Sequence, residues 1–200
     1  MLRRAALGFR AHSGWAALVA VAGPERVPDV VLRGRVELCE HRTRSEAQPY
    51  HAAAEMKLAE AEAFLARCAA TSSGMARQSI AATVAALAEK GCSVVSACVL
   101  LGSGRAATGL AATLASHPMI HTAEGVFFRH VLRQGCESCG LAVSGVKERE
   151  LLDQAEETVG FSREEIRRWA GEWGKRLGPP WRQDEKLAAI AAWRALGAQG

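Results

Sequence analysis

Apolar and polar positions along the chain fall first into strand periods, then into helical ones. Ala5 to Phe9 is a short apolar stretch that predicts a strand, and Gly14 to Ala22 is a near-continuous apolar run closed by Gly23-Pro24. Val30 to Leu38 begins apolar and then alternates, with Val36 and Leu38 on one face and Arg35 and Glu37 on the other. Short connections predict an antiparallel meander for these three. After a polar loop over 40–49, the period from Tyr50 to Lys90 is helical. Ala61, Phe64, Leu65 and Cys68 mark one buried stripe and Ile80, Val84 and Leu87 another; Thr71-Ser-Ser-Gly74 offers a bend or break between them, and Gly91 a C-terminal stop. Cys92 to Leu101 is apolar on both faces, as expected of a central strand. A helix to about Gln134, a strand over Leu141–Val146 and three helices (Arg149–Val159, Ser162–Leu177, Asp184–Leu196) complete the order. Ser162 and Glu165 have capping-box spacing.

Two hundred residues are expected to form one domain, with 149–200 as its helical C-terminal part. A net charge of +4 does not demand a nucleic-acid partner, and residues 146–200 balance ten basic against ten acidic groups, as solvated helix faces do. No apolar run reaches the ~20 residues of a membrane span. Arg10 and His12 interrupt the apolar N-terminus, so a strand is expected there rather than a signal peptide, and a cytoplasmic location with it. Of six cysteines only Cys136 and Cys139 are paired in spacing, with no second Cys/His pair to complete a zinc site. They are expected to end a helix before Gly140 as small apolar groups.

The densest chemistry lies in Ala115-Ser-His-Pro-Met-Ile-His-Thr-Ala-Glu124. On a helix, His117, His121 and Glu124 share one face, and Pro118 suits the first helical position. Such a face can ligate a divalent metal ion, hold an anion or move a proton. Imidazole with carboxylate favours zinc, iron or manganese over magnesium. The structural alternative is one histidine at the helix end and the other paired with Glu124. His12 could supply a third imidazole, and Gly102-Ser-Gly-Arg105 could offer backbone N–H groups to a phosphate, although it lacks the P-loop ending. Trp169 and Trp173, four apart, are expected to form a core stripe rather than a base-stacking face.

The order of elements is that of the ribonuclease H-like fold, and three segments carry the resemblance further. Gly8-Phe-Arg-Ala-His-Ser-Gly-Trp-Ala16 resembles the first hairpin of the RuvC-type branch, Leu141 to Glu150 its fifth strand and following turn, and Asp184 to Trp193 its last helix. The likeness spans most of residues 5–196. It implies an α/β fold, a five-stranded mixed sheet flanked by helices with a helical C-terminal extension.

It also implies a test of activity. Nucleases of this fold hold two divalent ions between carboxylates, the first on strand one and the second near the end of the central strand. Here Arg10 stands on strand one, with His12 nearby, and Cys98-Val-Leu-Leu-Gly-Ser-Gly104 has no acid. Only Asp184 and Glu185 match an expected acidic position. The fold would gather His12, Ser103, Arg105, His117, His121, Glu124 and Asp184 at one end of the sheet, with His117, His121 and Glu124 as the metal set. Three functions are then open: a diverged domain binding a metal or small anionic ligand, a non-catalytic nucleic-acid-binding or interaction module, and a RuvC-like nuclease.

Overall fold

The computed structural model describes residues 2–24, 26–40, 44–104 and 109–198. Strands β1 (Arg3–His12), β2 (Trp15–Ala22), β3 (Asp29–Glu37), β4 (Cys92–Leu101) and β5 (Ala142–Lys147) form one sheet in the order β3-β2-β1-β4-β5. The first three are antiparallel, and β4 runs parallel to β1 on one side and to β5 on the other. The doubly apolar strand is therefore interior. Ser13-Gly14 turns the first hairpin, with Gly14 at φ 75°, a conformation that favours glycine.

The two-residue period of the strands sorts side chains into two cores. Leu7 and Phe9 of β1 with Ala97 and Val99 of β4 face helices α3 (Leu58–Glu89) and α5 (His117–Ser138), where they meet Ile80, Phe128 and Leu132. Ala6 of β1 and Cys98 and Leu100 of β4 face α6 (Leu151–Val159), α7 (Arg163–Leu177) and α8 (Gln183–Gly197). Gly8 lies directly beneath α8: a Cβ there would stand 1.9 Å from the Ala188 carbonyl oxygen. Only glycine allows that approach. Trp173 and Trp193 are buried with ring centroids 5.7 Å apart, and Trp181 Nε1 donates to the Ala170 carbonyl at 2.8 Å, so the tryptophans belong to this core.

Several boundaries differ from the sequence expectation. The segment expected as a polar loop over 40–49 contains α1 (Arg44–Ala47), and the helical stretch from Tyr50 divides into α2 (Pro49–Ala53) and α3, with Lys57 in extended conformation between these two. Helix α3 is unbroken through Thr71–Gly74. The Ser72 hydroxyl donates to the Leu38 carbonyl at 2.6 Å, so it does not compete with the helix backbone. Helix α4 (Leu110–Leu114) precedes α5, in which His117 is the first residue and Pro118 the second rather than the first. The Ser162–Glu165 capping box is present.

Candidate functional site

Glu124 organises the site. It projects from α5 into a nearly closed environment, 4% exposed, and Oε1 accepts hydrogen bonds from the backbone N–H of Tyr50 at 2.8 Å and of His51 at 3.1 Å. These are the second and third residues of α2, whose N–H groups have no partner inside the helix, and Gln48 supplies no side-chain cap. Glu124 is thus a cap delivered from a distant helix. The same oxygen lies 3.2 Å from His51 Nδ1. A carboxylate there fixes the proton on Nδ1 and leaves Nε2 as a lone pair. Burial pushes the Glu124 carboxyl above its ordinary value, against the opposing pull of His51 and the two N–H donors. Its Oε2 is buried without a hydrogen-bond partner among the described residues.

His51 meets two further imidazoles. His117 and His121 bring their Nε2 atoms to 3.0 Å, and the His51 ring lies 4.7 Å from that of His121 and 5.6 Å from that of His117. One nitrogen from each of the three lies within 4.8 Å of the other two. Ligands about 2.05 Å from a tetrahedral zinc ion stand about 3.3 Å apart, so small side-chain rotations would close the set. The imidazole grouped with His117 and His121 is that of His51, whereas the sequence pointed to His12 as a third imidazole and to Glu124 as the carboxylate of the set; Glu124 stands behind His51. Nothing in the spacing of His51 could reveal this, because it lies on another helix and meets α5 only through the fold.

A cavity of about 220 Å³ opens beside the cluster, lined by His12, Ser13, His51, His121, Glu124 and Gly125 among others. His12 therefore reaches the same space. Its ring stacks on Trp15 at 4.3 Å, and its Nε2 lies 3.1 Å from Asp184 Oδ2. Asp184, at the start of α8, also pairs with Arg10, whose Nε and Nη2 meet the two oxygens of Glu148 at 3.0 and 3.2 Å. Burial works against the Arg10 charge, but Glu148 and Asp184 outweigh it and hold the guanidinium more firmly charged than usual. Ser103 is not drawn into the histidine cavity; it lines a neighbouring one with Gly102, Lys147 and Glu148. Arg105 lies outside the described residues. Cys136 is buried, with burial pushing its thiol up to about 12, and Cys139 caps α5.

No family model matches the chain, and no curated protein matches it. Solved structures do. Thermus thermophilus RuvC in complex with Holliday junction substrate superposes with a TM-score of 0.55 at 11% identity, covering 98% of this chain and 95% of that one. A second Thermus thermophilus RuvC structure gives 0.52, with the same identity and coverage. The chain has the ribonuclease H-like fold. Identity this low carries the RuvC-like arrangement of strands and helices and nothing of its chemistry. The two divalent ions implied by the fold do not fit the residues here. Arg10 engages both Glu148 and Asp184, and a guanidinium repels a cation where a ligand is needed.

Proposed function

We propose that this chain is a ribonuclease H-like protein with a diverged site, binding a divalent ion of the zinc class through His51, His117 and His121 and an anionic ligand beside it. The observation that carries this is the convergence of three imidazoles from two helices, one of them oriented by a buried carboxylate. Three neutral imidazoles suit zinc and its neighbours and are poor ligands for magnesium, which prefers oxygen. Three protein ligands also leave one tetrahedral position for a water or an anion. Glu124 then serves as the carboxylate that positions a ligating histidine, rather than as a ligand.

The test is elemental analysis of protein purified without an affinity metal column, followed by zinc titration of the metal-free chain. One tightly held ion per chain is expected, and His121→Ala should abolish it while leaving the melting temperature of metal-free protein nearly unchanged, since His121 is exposed. A large loss of metal-free stability in that variant would show the cluster to be structural.

A second reading, nucleic-acid binding without cleavage, is favoured by the structural match to a RuvC held on a Holliday junction. Affinity for duplex or four-way DNA that falls steeply with salt would support it. Salt-independent or absent binding would remove it.

A further inference from the structure

Arg129 projects from α5 and is half-buried, yet it has no hydrogen-bond or ion-pair partner among the described residues. The acid it senses through space is Glu148, both of whose oxygens are engaged by Arg10. Burial lowers its readiness to hold a proton, with Glu148 opposing. A half-buried guanidinium without a partner among the described residues has lost part of its hydration and can be matched by an anion.

Two glycines hold space for it. A Cβ on Gly125 would stand 2.8 Å from Arg129 Nη2 and 2.9 Å from Nη1, and one on Gly102 would stand 3.2 and 3.3 Å from the same atoms. Gly125 lies inside α5, where glycine costs roughly 0.5–1 kcal/mol relative to alanine, so its place there calls for a reason. Gly125 also lines the histidine cavity, and Gly102 lines the neighbouring one with Ser103. The guanidinium therefore packs against backbone that borders both cavities. Gly125 follows His121 by four residues, about 6 Å along the helix, which puts the guanidinium about one turn from the imidazole cluster.

We infer that Arg129, framed by Gly125 and Gly102, is the anion-recognition residue of this site and that the ligand is a small phosphate compound. The inference rests on the metal site proposed above for the second half of the grip. A tetrahedral phosphate can offer two oxygens to the guanidinium fork and a third to the ion. A carboxylate, with only two oxygens, would have to share one of them between the fork and the ion. The histidine cavity, about 220 Å³, is roomier than a phosphate ion and leaves space for the remainder of a small ester.

The experiment titrates metal-free and zinc-loaded protein with inorganic phosphate, glycerol 2-phosphate and acetate, in wild type, Arg129→Gln and Gly125→Ala. The Gly125→Ala change keeps every charge, favours the helix and displaces the guanidinium. Both variants should keep wild-type zinc affinity and lose at least about tenfold in phosphate affinity, the scale of a lost charge-assisted pair. Tighter glycerol 2-phosphate than inorganic phosphate would identify an ester as the ligand; the reverse would identify the free ion. Phosphate binding that is absent, matched by acetate, or unchanged in Arg129→Gln would overturn the inference. If zinc does not bind at all, the metal site is absent. The role of Arg129 is then decided by the metal-free titration, where an Arg129-dependent phosphate affinity sustains it and its lack ends it.

Discussion

Replacing Glu124 separates its two tasks. In Glu124→Ala, the N–H groups of Tyr50 and His51 lose an acceptor at 2.8 and 3.1 Å, and the His51 ring loses its 3.2 Å contact. Loss of a helix cap costs about 0.5–2 kcal/mol, and an orphaned buried donor about 1–3 kcal/mol. Against this, the substitution removes a desolvated carboxyl whose Oε2 is unpartnered among the described residues. A net loss of about 2 kcal/mol is expected, which for a chain of this size lowers the melting temperature by about 4–8 °C. Glu124→Gln retains an amide oxygen for both N–H groups and should cost about 1 kcal/mol or less. It removes the charge that orients His51, so zinc affinity should fall about 10–100-fold in both variants. Thermal melts of metal-free protein and zinc titration against a chromophoric chelator measure the two effects. An unchanged melting temperature in Glu124→Ala refutes the capping role, and unchanged zinc affinity in Glu124→Gln refutes the positioning role.

Gly8→Ala should destabilise the protein by about 3 kcal/mol or more in urea unfolding, because the new methyl would meet the backbone of Ala188 and Ala192, which cannot rotate away. A loss below about 1 kcal/mol would mean that α8 does not rest on β1 as described. No cleavage of single-stranded, duplex or four-way DNA is expected with magnesium or manganese, since Arg10 engages the acids that an ion pair ~4 Å apart would need. Cleavage that disappears in Asp184→Asn would reverse this.

The strands were legible because a sheet covered on both sides leaves near-continuous apolar runs, as in β1, β2 and β4, while β3 alternates in its second half. The division between α2 and α3 was not legible, since Ala-rich sequence is helical on either side of Lys57. Thr71–Gly74 misled for the opposite reason. Its polarity suggested a break, but Ser72 finds its partner in the Leu38 carbonyl across the fold. In the site, helical spacing placed His117 and His121 together, whereas His51 required tertiary structure. Arg129 was equally hidden. A lone arginine on a helix carries no signal until its missing partner and its two glycines are seen together.

These charges divide one end of the sheet into two unlike halves. On one side Arg10 ties the end of β1 to Glu148 after β5 and to Asp184 at the start of α8. That arrangement engages the acids with a guanidinium and, among the described residues, leaves hard oxygen-preferring cations no cage. On the other side α2 and α5 present imidazoles, with their one buried carboxyl turned towards backbone N–H groups. His12 joins the halves, bonded to Asp184 while lining the histidine cavity. The loops and helix starts still converge where sites are usually built in open sheets. What differs is the hardness of the donors. In the reading proposed above, the imidazole nitrogens select a borderline ion, and Arg129, without a partner among the described residues, selects an anion.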